Sequence, residues 1–298
     1  MLLDRHEHGL DAVATALQAG TPPACPVQAV VGDITDEALL ERLMGGTAPH
    51  LVFHAAAHKH VPLMETNPCE AVRNNVRGTR LVMEAARRHG VARCVVVSTD
   101  KAVQPSSVMG ATKRVAERLV QTTAGATGTA FIAVRFGNVL GSAGSVVPRF
   151  LAQIAQGGPV TVTHPEVQRY FMLTPEAVHL VLHAATQAHP GGVYMLDMGA
   201  QVRVLEIARA LNRRAGLEPD HDVRIVFTGR RPGEKLTEAL SGPQEQVVAT
   251  ETSGVRMVVP PEVTHAHTLR AEIEALEAAA LQGDAERTRQ QLADLARS

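Results

Sequence analysis

The first two-thirds of the chain alternates between two hydrophobic rhythms. Short unbroken apolar runs, "VQAVVGDI", "HLVFHAAA", "RCVVVSTD" and "TAFIAVRFGNV", are too short for helices and predict buried strands. Between them lie segments with apolar residues three and four apart: "GLDAVATALQAG", "DEALLERLM", "NPCEAVRNNVRGTRLVMEAARRHG" and "GATKRVAERLVQTTAG". These predict helices, and the long one has proline near its start and glycine after its end. "MLLD" adds a stub of strand in front. Such alternation predicts an α/β fold, a doubly wound parallel sheet with right-handed crossovers. Ligands bind outside the carboxyl ends of the strands in such sheets. The polar punctuation falls there, at Asp4, Asp33, residues 55–57, residues 99–101 and residues 135–138.

After Asn138 the rhythm breaks. "GSAGSVVPRFLAQIAQGGPVTVTHP" and "VRIVFTGRRPGEKLTEAL" are rich in glycine and proline and carry basic residues, which suits a smaller lid over the sheet. "TPEAVHLVLHAATQ" and "GGVYMLDMG" predict one more helix and strand returning to the first domain. The expected division is a sheet domain over 1–158 with 174–198 rejoining it. A lid follows over 159–173 and 199–260, and a charged helical tail over 261–298.

Composition narrows the possibilities. Across 298 residues the formal net charge is −1, aromatics make up 3% and tryptophan is absent, which argues against a nucleic-acid partner or base-stacking platform. Cys25, Cys69 and Cys94 are scattered without C-x-x-C spacing and read as reduced thiols. No run approaches the roughly 20 apolar residues of a membrane span, and no signal peptide is evident, so a soluble cytoplasmic protein is expected. His54, His58 and His60 end a strand without the carboxylate or cysteine company of a metal site, so no metal is expected.

Several ordered stretches coincide: "LLDRHE", "GDITD", "HAAAHKHVPLMETNP", "NNVRGT", "VVVSTDKAVQPSSVMGATKR", "VRFGNVLGSAGSVVP" and "TGRRPGEKL". Over about residues 1–250 they resemble the nucleotide-sugar 4,6-dehydratase branch of the extended short-chain dehydrogenase/reductase family, the CapD-like polysaccharide biosynthesis type. The resemblance implies a Rossmann-like NAD(P)-binding domain, a UDP-N-acetylglucosamine substrate, a 4-keto-6-deoxy product and a homo-oligomer. Larger members carry membrane helices and a further domain before the catalytic part. The chain departs from the pattern at its front. A Gly-rich turn should precede the acidic strand end, which here is already Asp4. The chain is therefore expected to begin at the second strand, through a late start site or truncated reading frame. A shortened, non-catalytic remnant is the other account.

On the cofactor side, an acid at the end of that strand, Asp4, suits the adenosine ribose hydroxyls. Arg5 suits a 2′-phosphate instead, which leaves NAD and NADP both open. The resemblance implies that Asp33 and Ile34 bracket adenine, that Ala55, Ala56 and Ala57 let the cofactor pass, and that Asn75 fixes the following loop. Lys59 and His60 belong, by the same resemblance, to a loop between cofactor and sugar.

Dehydration across C5 and C6 of a hexose requires loss of a proton and a hydride at C4, removal of the C5 proton, and protonation of the departing 6-hydroxyl. A clustered hydroxyl, acid and base meet those needs. Thr99 is assigned to the C4 oxygen, Asp100 to O6 and Lys101 to C5. Related enzymes carry tyrosine where Met109 stands. Methionine has no exchangeable proton, so Met109 is expected in the catalytic site only to shape the pocket, and Asp100 relayed through Thr99 is expected to take the C4 proton. Lys113 is expected on the nicotinamide ribose. For the UDP half, Arg169, Arg231 and Lys235 are candidate diphosphate cations, with Glu234 holding a ribose or an arginine. Arg135 and Asn138 are expected beside the sugar. A nucleotide-sugar 4-epimerase is the alternative enzyme, although it needs no acid/base pair for C5 and C6.

Overall fold

A computed structural model describes residues 1–20, 26–123, 128–142, 144–187, 189–259 and 266–297; Cys25 lies outside them. The first half runs β1 (Leu2–Asp4), α1 (Glu7–Gln18), β2 (Ala29–Val31), α2 (Glu37–Thr47), β3 (Leu51–His54) and α3 (Val61–Thr66). The long helix follows as α4 (Pro68–Ala71), a π-helical stretch (Val72–Arg77) and α5 (Gly78–Arg88). Next come β4 (Arg93–Val97), α6 (Val108–Gln121) and β5 (Ala130–Arg135). Beyond it are β6 (Asn138–Val139), α7 (Val146–Ala155), β7 (Val160–Val162), β8 (Gln168–Arg169), β9 (Phe171–Met172), α8 (Thr174–Gln187) and β10 (Val193–Leu196). The remainder is β11 (Val202–Arg203), α9 (Val204–Arg214), β12 (Ile225–Phe227), β13 (Val247–Ala249), β14 (Val255–Val258), α10 (Ala266–Gln282) and α11 (Ala285–Arg297).

Six strands form the main sheet in the order β13-β14-β10-β5-β4-β3. From β3 to β10 the pairing is parallel, and β14 and β13 extend the far edge antiparallel. Alternation along the strands explains the double winding. Cys94, Val96, Phe131 and Ala133 pack with Leu81, Val82 and Ala85 of α5. Val95, Ile132, Val134 and Leu196 point the other way, towards Ala177 and Ala184 of α8. With both faces covered, a continuous apolar run is what each strand needs.

The expected domain boundaries need two corrections. Phe150 and Ile154 of α7 join Val160, Val162, Val167, Val204, Ala208 and Val223 in a separate core, so α7 belongs to the lid and not to the sheet domain. Residues 247–258, assigned to the lid, return to the main sheet, because β14 supplies hydrogen bonds to the open side of β10. The described part of the tail forms α10 and α11. Leu269, Ile273, Leu276, Leu292 and Leu295 of α10 and α11 bury against Val72, Val76, Met109 and Val115.

At the opposite edge the sheet is split. β1 pairs with β2 in a separate parallel pair, and β3 ends the main sheet. Between β1 and β3 lies a cavity of about 490 Å³ whose walls include Leu2, Leu3, Leu10, Phe53 and Val82. Leu51 and Phe53 of β3 are left 41% and 43% exposed, unusual for apolar residues of a parallel strand. This slot lies where the sequence pattern expects a first strand.

Candidate active site

Two cavities open at the carboxyl ends of the strands. The first, about 190 Å³, is lined by Asp4, Arg5, Asp33, Ile34, Ala55, Ala56, Ala57 and Asn74, with Leu3 and Gly32 completing it. Here Asp4 ends β1 and accepts from the His6 amide at 2.8 Å. Asp33 accepts from both the amide and hydroxyl of Thr35 at 2.8 Å. Burial works to raise its carboxyl, but those bonds and the Arg5 charge outweigh it and hold Asp33 below the ordinary carboxylate range. Arg5 also reaches His58 at 2.9 Å and stands 3.9 Å from Glu70. Ile34 is buried against Gly78, where a Cβ would come within 2.5 Å of its Cδ1, so glycine is required for this contact.

Asn75 does not line this cavity. It is fully buried beneath the loop that follows β3, accepting from the His58 amide at 2.8 Å and donating to the His58 carbonyl at 3.0 Å. A third bond runs to Thr112 of α6 at 3.0 Å. The side chain thus fixes the loop, and its neighbour Asn74 is the residue that sequence reasoning missed in the cavity wall. His54 is buried and donates through Nε2 to Thr79, whose own hydroxyl donates to the Asn75 carbonyl. Burial, then the Lys113 charge, push His54 down to about 3, so it stays neutral. Lys59 and His60 are exposed on the same loop. His60 caps α3 and touches Gly144, where a Cβ would lie 2.8 Å from its ring.

The second cavity, about 200 Å³, lies between the sheet and the lid. Lys101 and Asn138 form part of its wall, facing Arg149, Arg169, Arg231, Glu234 and Glu238 of the lid. β4 ends at Val97, and a 3-10 turn over Asp100–Ala102 then presents the acid and base side by side. Thr99 donates to Asp100 Oδ1 at 2.9 Å. Lys101 Nζ donates to the same oxygen at 2.9 Å and to Asn138 Oδ1 at 3.3 Å. Asp100 is wholly buried and its Oδ2 has no hydrogen-bond partner. Gly137 allows this close packing, since a Cβ there would stand 3.1 Å from Asp100 Oδ2 and 2.7 Å from Tyr170 Cβ.

Lys113 is buried on α6 and donates to the Val97 carbonyl at 2.9 Å. Burial lowers its ammonium to about 8, partly opposed by Glu117. Met109, one turn earlier, is placed differently from the expectation. Its side chain is buried among Val72, Val115 and Ile273, in the core that the tail helices complete. It is a packing residue and lines neither cavity.

Three expected substrate cations are otherwise engaged. Arg135 is fully buried, donating to Glu117 at 2.6 and 3.0 Å and to Glu245 at 2.8 and 3.1 Å. A guanidinium so enclosed is a structural clamp and not a sugar contact. Arg169 reaches the cavity, but it donates to the carbonyls of Gln168, Leu236 and Lys235 and stands 3.4 Å from Glu234. Its role is to shape the lid loop. Lys235 turns away to the Val103 carbonyl at 2.8 Å. Glu234 accepts from Thr163 at 2.8 Å and from the Arg231 amide at 3.3 Å, so it too orders the loop.

Among the described residues of this cavity, Arg231 and Arg149 are arginines exposed to a ligand, and sequence reasoning missed Arg149. Desolvation, then the like charge of Arg231, pull the Arg149 guanidinium below its ordinary pKa, with Glu234 opposing. Two guanidinium groups on one cavity wall suit an anionic ligand. The sequence signal available was the basic residue of "VVPRF", directly after Pro148 in the first turn of α7. Glu238 was missed as well. It is 5% exposed, and its Oε2 has no hydrogen-bond partner.

Comparison with known proteins agrees with this architecture. The family described as "Polysaccharide biosynthesis protein" matches residues 1–260. The chain is 52% identical over 217 residues to the capsular polysaccharide biosynthesis protein CapD of Staphylococcus aureus, covering 72% of this chain and 36% of that protein. It is 46% identical over 245 residues to the probable polysaccharide biosynthesis protein EpsC of Bacillus subtilis (strain 168), covering 82% and 41%. It thus spans about two-fifths of the length of these relatives. Among solved structures, Pen from Bacillus thuringiensis superimposes with a TM-score of 0.78 at 31% identity, covering 87% of this chain and 80% of that one. With the family matched from the first strand through the last strand of the sheet, the chain belongs to the polysaccharide biosynthesis protein family.

Proposed function

We propose that the chain is the catalytic part of an NAD- or NADP-dependent UDP-N-acetylglucosamine 4,6-dehydratase that supplies a 4-keto-6-deoxy sugar for polysaccharide synthesis. The carrying observation is the Thr99-Asp100-Lys101 constellation at the wall of the cavity between sheet and lid, a hydroxyl and an ammonium sharing one buried carboxylate oxygen at 2.9 Å each. The residues of the smaller cavity suit the adenosine half of a dinucleotide: acids at two strand ends, and three alanines whose small side chains leave room. When bound, that cofactor supplies a reversible hydride acceptor.

The protein's own groups handle the protons. Asp100 is wholly buried, so a proton from the C4 hydroxyl reaches it through the Thr99 hydroxyl, which already points at Oδ1. The same carboxyl then releases the proton to the leaving 6-hydroxyl as water departs. Lys101 takes the C5 proton in between and returns it to C5 at the end. Arg149 and Arg231 hold the diphosphate. The test is to incubate the protein with UDP-N-acetylglucosamine and either dinucleotide in deuterated water. The expected product is lighter by one water and carries deuterium at C5. A C4 epimer of unchanged composition would replace this reading with a 4-epimerase, and binding without turnover would leave a non-catalytic remnant.

A further inference from the structure

The dehydratase reading leaves one difficulty at Lys101. Its amine must be uncharged to accept the C5 proton, yet Nζ is held in an ion pair with the Asp100 carboxylate at 2.9 Å. Something in the pocket must take the surplus proton once the substrate has shut out water.

We propose that Glu238 is that acceptor, a positioning carboxylate that discharges Lys101 and later recharges it. Glu238 follows the "RPGEKL" loop and lines the same cavity as Lys101. It is 5% exposed, and its buried Oε2 has no hydrogen-bond partner. Lys235 Nζ stands 3.6 Å from that oxygen and donates instead to the Val103 carbonyl at 2.8 Å. A carboxylate buried without donors is poorly stabilised and readily accepts a proton. The charged groups facing it are Lys101 and Asp100 from the turn after β4, Arg169 from β8 and Lys235 from its own loop. Burial raises the Glu238 carboxyl above its ordinary value, Asp100 adds to this, and the three cations oppose it.

This inference rests on the dehydratase reading, and its protons balance. Asp100 receives the C4 hydroxyl proton and loses its charge, which removes the main support of the Lys101 ammonium. Lys101 loses one proton, which Glu238 on the wall of the same cavity takes up as the lid closes the two together, and becomes a free amine. The amine takes the C5 proton while Asp100 protonates the departing 6-hydroxyl. Lys101 then returns its proton to C5, and Glu238 gives its proton back to Lys101. All three groups end in their starting states.

The test compares the wild-type protein with Glu238→Gln and Glu238→Asp, all checked for native circular dichroism. The Lys101 side-chain amine is first titrated by NMR without substrate. Glu238→Gln should lower its midpoint by about half a pH unit or more, with Glu238→Asp close to wild type. Exchange of the C5 hydrogen of UDP-N-acetylglucosamine is then followed against pH. At neutral pH Glu238→Gln should lose about 100-fold, and its rate should climb about tenfold per pH unit as hydroxide neutralises Lys101. The wild type should be flat over that range, and Glu238→Asp should keep the flat profile. An unchanged Lys101 midpoint, or a flat profile in Glu238→Gln, overturns the proposal. If the wild type makes no 4-keto product, the dehydratase reading falls, while the Lys101 titration still decides whether the two groups are coupled.

Discussion

Residues only ten positions apart in sequence, from Thr99 to Met109, have opposite vulnerabilities. In the proposed reaction Asp100 and Lys101 move protons, whereas Met109 is buried in the core. Asp100→Asn and Lys101→Ala should each lower formation of the 4-keto-6-deoxy product by about 100- to 10,000-fold. Met109→Ala should instead lower unfolding stability by about 2–5 kcal/mol and keep near-normal turnover per folded molecule. Urea titration beside an end-point product assay separates the two, and a catalytically dead but stable Met109→Ala would refute the packing role. Lys113 offers a pH signature. Burial lowers its pKa in the folded protein from 10.5 to about 8, so the unfolded chain binds the proton more tightly. Its contribution is therefore fully present above 10.5 and is lost as pH falls through about 8. Relative to Lys113→Met, wild-type stability should rise between those pH values by an amount on the order of 3 kcal/mol. A constant difference across that window would show that Lys113 is not desolvated.

Elements here are joined by polar clamps as well as by apolar faces. Glu117 of α6 accepts from Ser98 at the end of β4 at 2.6 Å and pairs with Arg135 of β5, which in turn grips Glu245 before β13. One carboxylate thus ties the helix carrying Lys113 to the strand end carrying the acid/base turn. Removing one partner leaves the buried Arg135 charge undercompensated. Glu117→Gln should destabilise the protein by about 3–5 kcal/mol, read as a shift of the urea midpoint at unchanged slope. Replacing Arg135 and Glu117 together by apolar residues of similar volume should recover much of that loss. If the single substitution is silent, the clamp is not an energetic link between these elements.

At the scale of the whole molecule, the split in the sheet dominates. β1 and β3 face each other across an apolar cavity of about 490 Å³, each with an unpaired edge. Such edges are templates for another strand. A fusion that places an apolar strand and a Gly-rich turn before Met1 should fill the slot. The amides of β1 and β3 should then gain protection from hydrogen exchange, and NAD(P) should bind more tightly because the turn adds backbone donors for the pyrophosphate. Unchanged protection would show that the slot does not accept a strand.

Much of this was legible from the residues in order. Apolar runs such as "RCVVV" and the helical spacing of "VAERLV" are local signals, and the strands and helices followed them to within a few residues. The placing of Asp4, Asp33 and Thr99, Asp100 and Lys101 at strand ends followed from the parallel sheet, since such strands all point their carboxyl ends the same way. What could not be read was how each charged side chain is spent. Arg135 and Glu245 lie 110 positions apart in sequence, and nothing local distinguishes that buried arginine from one facing a ligand. The same holds for Arg169 and Lys235, whose donors go to backbone carbonyls, and for Arg149 and Glu238, whose convergence on Lys101's cavity needs the lid folded over the sheet. Sequence alone determined the elements, because backbone geometry and hydrophobic period are local properties. Only the tertiary structure decided which ionisable groups are paired and which remain free to act, because burial and charge partners are set by packing between distant segments.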